Sequence, residues 1–207
     1  MIVTGIEEIS KSKCKIFIEG EFAFALYKGE LSAYQIKKGK EITKEAYQEL
    51  TTQVLPKRAK LRVMNLLKAR TYTEEELRRK LKLGFYSERH IEEALDYVKS
   101  YGYVNDLAYA MDFIRYRAES LSKKQIQNKL LQKGVQKEIV ENALLECEKE
   151  GTMIEEMKQI SAYLEKKQYS PETCDYKEKQ KLIAALYRRG FSINSINQVM
   201  KSDFYLT

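Results

Sequence analysis

Residues 122–144, SKKQIQNKLLQKGVQKEIVENAL, decide the fold. Ile126 and Leu130 are four apart, Gly134 and Val135 follow, and Val140, Ala143 and Leu144 form an apolar triplet with helical spacing. Two helices separated by a glycine stop account for that pattern. The set returns 56 positions later without a gap, as Leu182, Leu186, Gly190, Phe191, Ile196, Val199 and Met200. It also occurs 49 positions earlier: Leu77 and Leu81, then Gly84 and Phe85 after a one-residue slip, then Ile91, Ala94 and Leu95. A helical period of roughly 50 residues marks a stacked array, whose usual product is a binding surface and not a catalytic pocket.

Capping signals set the boundaries. Pro56 suits a first helical turn, Thr73 with Glu76 forms a capping box, Ser87 starts a helix and Gly102 ends it. Asp106 caps the next helix, Ser122 with Gln125 and Thr152 with Glu155 are further boxes, and Gly134, Gly151 and Gly190 are stops. Nine helices in three triplets follow, as repeats at 56–105, 106–151 and 152–207. Residues 1–55 read differently. Cys14–Glu19 and Phe22–Tyr27 flank a Glu19-Gly20 turn, which predicts a β-hairpin packed on a helix from Thr43 to about Val54. The predicted fold is mainly α, an elongated right-handed-type array of three tandem three-helix repeats behind a small cap that contains the hairpin. Each repeat is expected to lean on its neighbour, and the longer stretch Tyr169 to Tyr176 predicts a looser joint before the third.

Composition narrows the function. The chain has 207 residues, 43% hydrophobic and 32% charged, the proportions of a soluble globular protein. Its longest apolar run, Phe22 to Tyr27, cannot span a membrane, and Met1 to Lys15 lack a secretory signal, which places the protein in the cytoplasm. Cys14, Cys147 and Cys174 are odd in number and lack metal-ligand spacing, so free thiols are expected, with no metal or cofactor. The sole histidine, His90, falls in the first turn of a predicted helix, a start residue more simply than a general base. Gly39-Lys40 is followed by Glu41, not by the Ser or Thr of a phosphate-binding loop. An enzyme is not expected.

The net charge of +7 is concentrated: residues 56–105 hold 12 basic and 7 acidic groups, whereas 1–55 and 106–150 are balanced at 8 and 8. Arg58 and Arg62 share a helical face beside Lys57, Lys60 and Lys68, and Arg78, Arg79 and Lys82 turn to solvent when Leu77 and Leu81 face inward. Arg188 and Arg189 repeat the pattern more weakly. These groups suit phosphates or carboxylates. Charge reversal at Arg58, Arg62, Arg78, Arg79 and Lys82 is expected to abolish partner binding without unfolding the array. Tyr97, Tyr101, Tyr103, Tyr109 and Tyr116 read as packing residues near the first joint.

Four stretches resemble the consensus of the RecX regulatory proteins: Arg70 to Leu77 with Lys80-Leu81, Gly102-Tyr103-Val104-Asn105-Asp106, Lys133-Gly134-Val135 and Arg189-Gly190-Phe191. The similarity runs from about Pro56 onward. It implies arrays of three-helix units that bind the RecA recombinase, lie in the groove of its filament on DNA, and restrain its ATPase, coprotease and strand-exchange activities in recombination and repair. The implied partners are RecA, its nucleoprotein filament and, more weakly, single- or double-stranded DNA, and the implied state is a monomer. The RecA- and DNA-binding surface expected from the basic faces is Lys57, Arg58, Arg62, Arg70, Arg78, Arg79, Lys82, Arg188 and Arg189. Gly102, Tyr103, Asn105 and Asp106 match the family motif, and Asp106 also suits a helix cap. The alternative is a stand-alone helix-turn-helix-like DNA-binding protein, for which Arg89 and His90 would begin a recognition helix against the opposing charges of Glu88, Glu92 and Glu93.

Overall fold

The computed structural model describes residues 1–152 and 154–201, so the end of the third predicted repeat, 202–207, lies outside the described residues. The chain divides into two compact units, Met1–Asn105 and Asp106–Thr207. The first opens with three strands, β1 (Val3–Ser10), β2 (Lys13–Ile18) and β3 (Glu21–Tyr27), antiparallel in the order β1-β2-β3. The hairpin is therefore part of a larger sheet. The Glu19-Gly20 turn has φ of 52° and 89°, as a two-residue primed turn requires. Strand β1 escapes sequence reading because Gly5, Glu7 and Glu8 interrupt its alternation and its pairing with β2 is irregular at both ends.

The sheet buries Cys14, Ile16, Ile18, Phe24 and Leu26 against Ile36, Ile42, Leu50 and Leu55, so its core is shared with the helical segment that follows. After α1 (Lys28–Ala33), α2 (Lys44–Glu49) begins on the Thr43 hydroxyl, passes through a π-helical turn at Leu50–Val54 and continues as α3 (Leu55–Leu67). The predicted stop near Val54 does not occur. Proline at 56 has no N–H, and the Leu55 N–H reaches back to Leu50 O, so the chain passes through a π turn without a break. The Thr51 carbonyl, skipped by this arrangement, accepts from His90 Nε2 at 2.8 Å.

Repeat one comprises α3, α4 (Glu74–Leu83) and α5 (Glu88–Ser100). The second unit holds repeat two, α6 (Asp106–Arg117), α7 (Lys123–Gln132) and α8 (Lys137–Lys149), and repeat three, α9 (Glu156–Lys166), α10 (Tyr176–Arg188) and α11 (Ile193–Lys201). In each, the first and third helices pack on one another, and the second packs on the third. Every repeat has its own apolar cluster, built from the signature residues. No helix among the described residues is long and apolar enough to cross a membrane.

Two expected boxes form: Thr73 with Glu76, at 3.1 and 3.3 Å, and Ser122 with Gln125, at 3.2 and 3.3 Å. The third does not. Thr152 donates its N–H to Cys147 O at 2.8 Å, finishing α8 after Gly151, and α9 starts four residues later. The expectation of a looser joint before repeat three is also corrected. The stretch from Tyr169 to Tyr176 lies between α9 and α10, inside that repeat, and Tyr169 is buried in its core. Repeats two and three meet through hydrogen bonds: Ser122 Oγ donates to Arg189 O at 2.7 Å, and Gln159 Nε2 to Ala118 O at 2.6 Å and Leu121 O at 3.2 Å. Ser122 is fully buried and serves both the cap and this joint. Ser122→Ala should cost about 1 kcal/mol, seen as faster amide exchange in α7 and near Arg189; an effect confined to the first turn of α7 would remove the joint from that account.

Candidate functional site

The closures of the second helices set out the polar surface. In repeat two Gly134 (φ 85°) donates to Leu131 O and Val135 to Leu130 O; in repeat three Gly190 (φ 89°) donates to Tyr187 O and Phe191 to Leu186 O. This double bond across a left-handed residue satisfies the last carbonyls of each helix. In repeat one the left-handed residue is Phe85 (φ 64°), donating to Lys82 O, with Tyr86 donating to Leu81 O. Phe85 thus stands where Gly134 stands, Tyr86 where Val135 stands, and the spacing of 49 holds with no slip. Gly84 precedes the turn, and a Cβ there would lie 2.9 Å from the Tyr86 ring.

The motif from Gly102 to Asp106 is a linker of the same kind. Gly102 (φ 70°) donates to Lys99 O and Tyr103 to Val98 O, Val104 is buried in the repeat-one core, and α6 begins at Asp106, which sets Asn105 in the position before the helix. The sequence reading put the cap one residue later. Tyr103 is exposed and stacks on Tyr101 at 5.9 Å, which lies 5.0 Å from Tyr97. These three rings pack on one another at the surface.

The basic residues separate by what holds them. Arg58, only 14% exposed, pairs with Glu30, donates to Ala25 O at 3.4 Å and covers the Tyr27 ring at 4.9 Å, bracing α3 against β3 and α1. Arg78, 18% exposed, is surrounded by Glu74, Glu75, Glu88 and Glu92 and clamps α4 to α5. Its hydrogen bond to Glu92 drives the guanidinium pKa upward and holds the Glu92 carboxyl below the usual range. Arg79 meets Glu75 at 3.2 Å, Lys82 meets Glu88 at 3.2 Å, and Arg70 lies 4.0 Å over Tyr72 with Glu76 at 3.9 Å. Arg78 does not turn to solvent as expected. Reversing Arg78 would place a carboxylate among carboxylates, and reversing Arg58 would set one against Glu30 at a largely buried joint, so such variants act on the fold first.

Lys57 lies on an exposed edge of α3 beside a groove of about 510 Å³ lined by Lys60, Leu61, Met64, Lys68 and Tyr97. Arg62 is exposed on the other side of the same helix. In the second unit Arg188 is exposed and donates to Ala184 O at 3.3 Å, while Arg189 lies 4.3 Å over the Tyr163 ring. Near Arg62, β2 contributes two cations absent from the sequence-based surface. Lys13 Nζ donates to Gly84 O at 2.6 Å, and Lys15 Nζ sits 4.7 Å over Phe85. Their alternation with buried Cys14 and Ile16 was the available signal.

His90 is buried and engaged with Thr51 O, which requires its proton on Nε2. Arg89 pairs with Glu93 at 3.0 Å. Of the two groups that would open a recognition helix, His90 is thus committed within the unit, whereas Arg89 is 76% exposed and holds only a surface pair within its own helix.

Family models of the three three-helix domains of RecX match the chain in order: the first at residues 59–97, the second at 105–144 and the third at 154–200. Among curated proteins, the regulatory protein RecX of Caldanaerobacter subterraneus subsp. tengcongensis is 38% identical over 202 residues, covering 97% of this chain and 98% of that protein. The regulatory protein RecX of Clostridium beijerinckii is 30% identical over 200 residues, 95% of this chain and 92% of that one. A crystal structure of regulatory protein RecX superposes with a TM-score of 0.63 at 22% identity, covering 97% of this chain and 99% of the other. RecX from Lactobacillus salivarius gives a TM-score of 0.59, also at 22% identity, over 72% of this chain and 96% of the other.

Proposed function

The chain belongs to the RecX family of regulatory proteins, and from that premise we propose that it binds RecA and RecA–DNA filaments and restrains their ATPase, coprotease and strand-exchange activities. The observation that carries this reading is the match of all three repeats, in order, to the family's three domains. The helical signature residues of the repeats are buried in their cores, which leaves the charged faces to meet a partner. A filament on DNA offers both carboxylates and phosphates, and Lys57, Arg62, Arg70, Arg79 and Lys82 are among the exposed cations of repeat one and suit either. DNA is the weaker, salt-sensitive partner in this reading. The filament groove is the proposed seat, and the cytoplasm and a monomeric state go with it.

The burial of His90 against Thr51 O, with Glu88, Glu92 and Glu93 on the same helix, weighs against a stand-alone duplex reader, which needs free polar groups at the start of its recognition helix. Adding the purified protein to RecA on single-stranded DNA should slow ATP hydrolysis, and the protein should sediment with the filaments. Unchanged hydrolysis together with no co-sedimentation would sink the reading. Tight, sequence-selective duplex binding without RecA would restore the alternative.

A further inference from the structure

Phe85 is the starting point. Its two counterparts are glycines, for which a left-handed backbone carries no Cβ penalty, whereas a bulky residue there costs about 1 kcal/mol or more. The closure itself does not call for phenylalanine, since Gly134 and Gly190 make the same bonds. What Phe85 adds is a ring at the outer face of the sheet. That ring stands edge-on to Phe22 at 6.3 Å, and Phe22 is edge-on to Phe17 at 6.0 Å. Lys13 pairs across the ladder with Tyr27, Lys15 with Ala25 and Phe17 with Phe22, so cations and rings share one face.

Charge is the second observation. Whereas Arg58, Arg70, Arg78, Arg79 and Lys82 each have a carboxylate partner, no carboxylate lies within 4 Å of Lys13, Lys15 or Arg62 among the described residues. Glu7, opposite Lys15 on β1, makes no ion pair with it. Burial lowers the pKa of the Lys13 amine, and the nearby charges of Arg58 and Arg62 act in the same direction, so the cations crowd one another. Phe22 and Tyr27 are each 45% exposed beside them.

We propose that this face, formed by Lys15, Phe22 and Tyr27 of the sheet with Arg62 and Phe85 of repeat one, binds single-stranded nucleic acid. Uncompensated cations take the phosphates while exposed rings stack on bases that a duplex would keep paired. An acidic protein segment would satisfy the cations but leave the rings unused. From Lys13 to Phe17 the strand advances about 13 Å, enough for a few nucleotides, so the face anchors a short stretch of a longer strand. The strained Phe85 turn is the cost of putting a ring there. The proposal rests on the regulatory reading only in taking DNA as the polyanion at hand.

Its first test is made without RecA. The full chain is titrated into fluorescein-labelled oligothymidylate at several salt concentrations. The wild type should bind; K15Q/R62Q should weaken binding at least about tenfold and reduce the salt slope by about 1.4, two contacts at about 0.7 each. K15R/R62K should bind as the wild type does. F85G and F22A should each lose about fivefold or more. Retained amide protection in β2, α4 and α5 would show that these losses are not unfolding. Failure of the wild type to bind, or equal affinity and slope in K15Q/R62Q, would overturn the proposal. So would a pull-down in which K15Q/R62Q loses DNA-free RecA but keeps the oligonucleotide, for the face would then meet an acidic protein. Absence of RecA inhibition by the wild type would strike the regulatory reading alone.

Discussion

Leu130→Ala should lower the stability of the second unit by about 3 kcal/mol, the largest loss expected of any substitution discussed for this chain. Leu130 is fully buried in the repeat-two cluster, and its carbonyl accepts from Lys133 and Val135, so it lies where the helix turns back on itself. Alanine keeps the backbone bonds and removes the side chain, so the loss combines apolar transfer with the cavity left behind. Leu81 and Leu186 hold the equivalent places and are equally buried. Because each repeat has its own cluster, the effect should be regional. Amide exchange in full-length Leu130→Ala should accelerate through α6, α7 and α8 while α4 and α5 keep their protection. Equal acceleration in the first unit would contradict the division at residue 105.

Arg78→Met is the second. It should cost about 2 kcal/mol, because the methionine replaces the clamp between α4 and α5 and leaves Glu74, Glu75, Glu88 and Glu92 facing one another, with the more exposed Arg79, Lys82 and Lys99 each paired to one of Glu74, Glu75 and Glu88. For a unit of this size that is a fall of about 10 °C in melting temperature. The pH dependence gives a sharper test. Glu92 has a folded pKa below its unfolded value, through its hydrogen bond to Arg78, so its contribution is complete above about pH 4.3 and is lost as pH falls through the folded value. Wild type and Arg78→Met should therefore differ most near neutral pH and converge in acid. A gap that stays constant from neutral pH to acid would assign the loss to packing of the arginine stem alone.

Sequence reading succeeds here wherever a bond closes within one turn. The Thr73 and Ser122 boxes, the Glu19-Gly20 turn and the left-handed glycines follow from residue types three or four positions apart. It fails where a neighbour from elsewhere takes over. Thr152 has the residues of a box but is claimed by the end of α8, and Pro56 reads as a helix start while α2 already supplies the preceding turn. The apparent slip in repeat one arose from aligning glycine with glycine. Its resolution needed the backbone angle of Phe85.

The candidate surface divides in the same way. That repeat one is basic is legible from counting, and so are the helices that carry Lys57, Arg62, Arg79 and Lys82. Which cations remain available is not, because the pairing partner of Arg58 is 28 residues away and the carbonyl that holds Lys13 is 71 residues away. The sequence by itself determined the three helical triplets, the Thr73 and Ser122 caps and the cores, since apolar periodicity and local hydrogen bonds act over a few residues. Only the tertiary structure decided where positive charge is left uncompensated. Electrostatic pairing depends on distance in space, and the packing of the sheet on repeat one buries Arg58 beside Glu30 while it leaves Lys15 and Arg62 facing outward with the ring of Phe85 between the sheet and the turn.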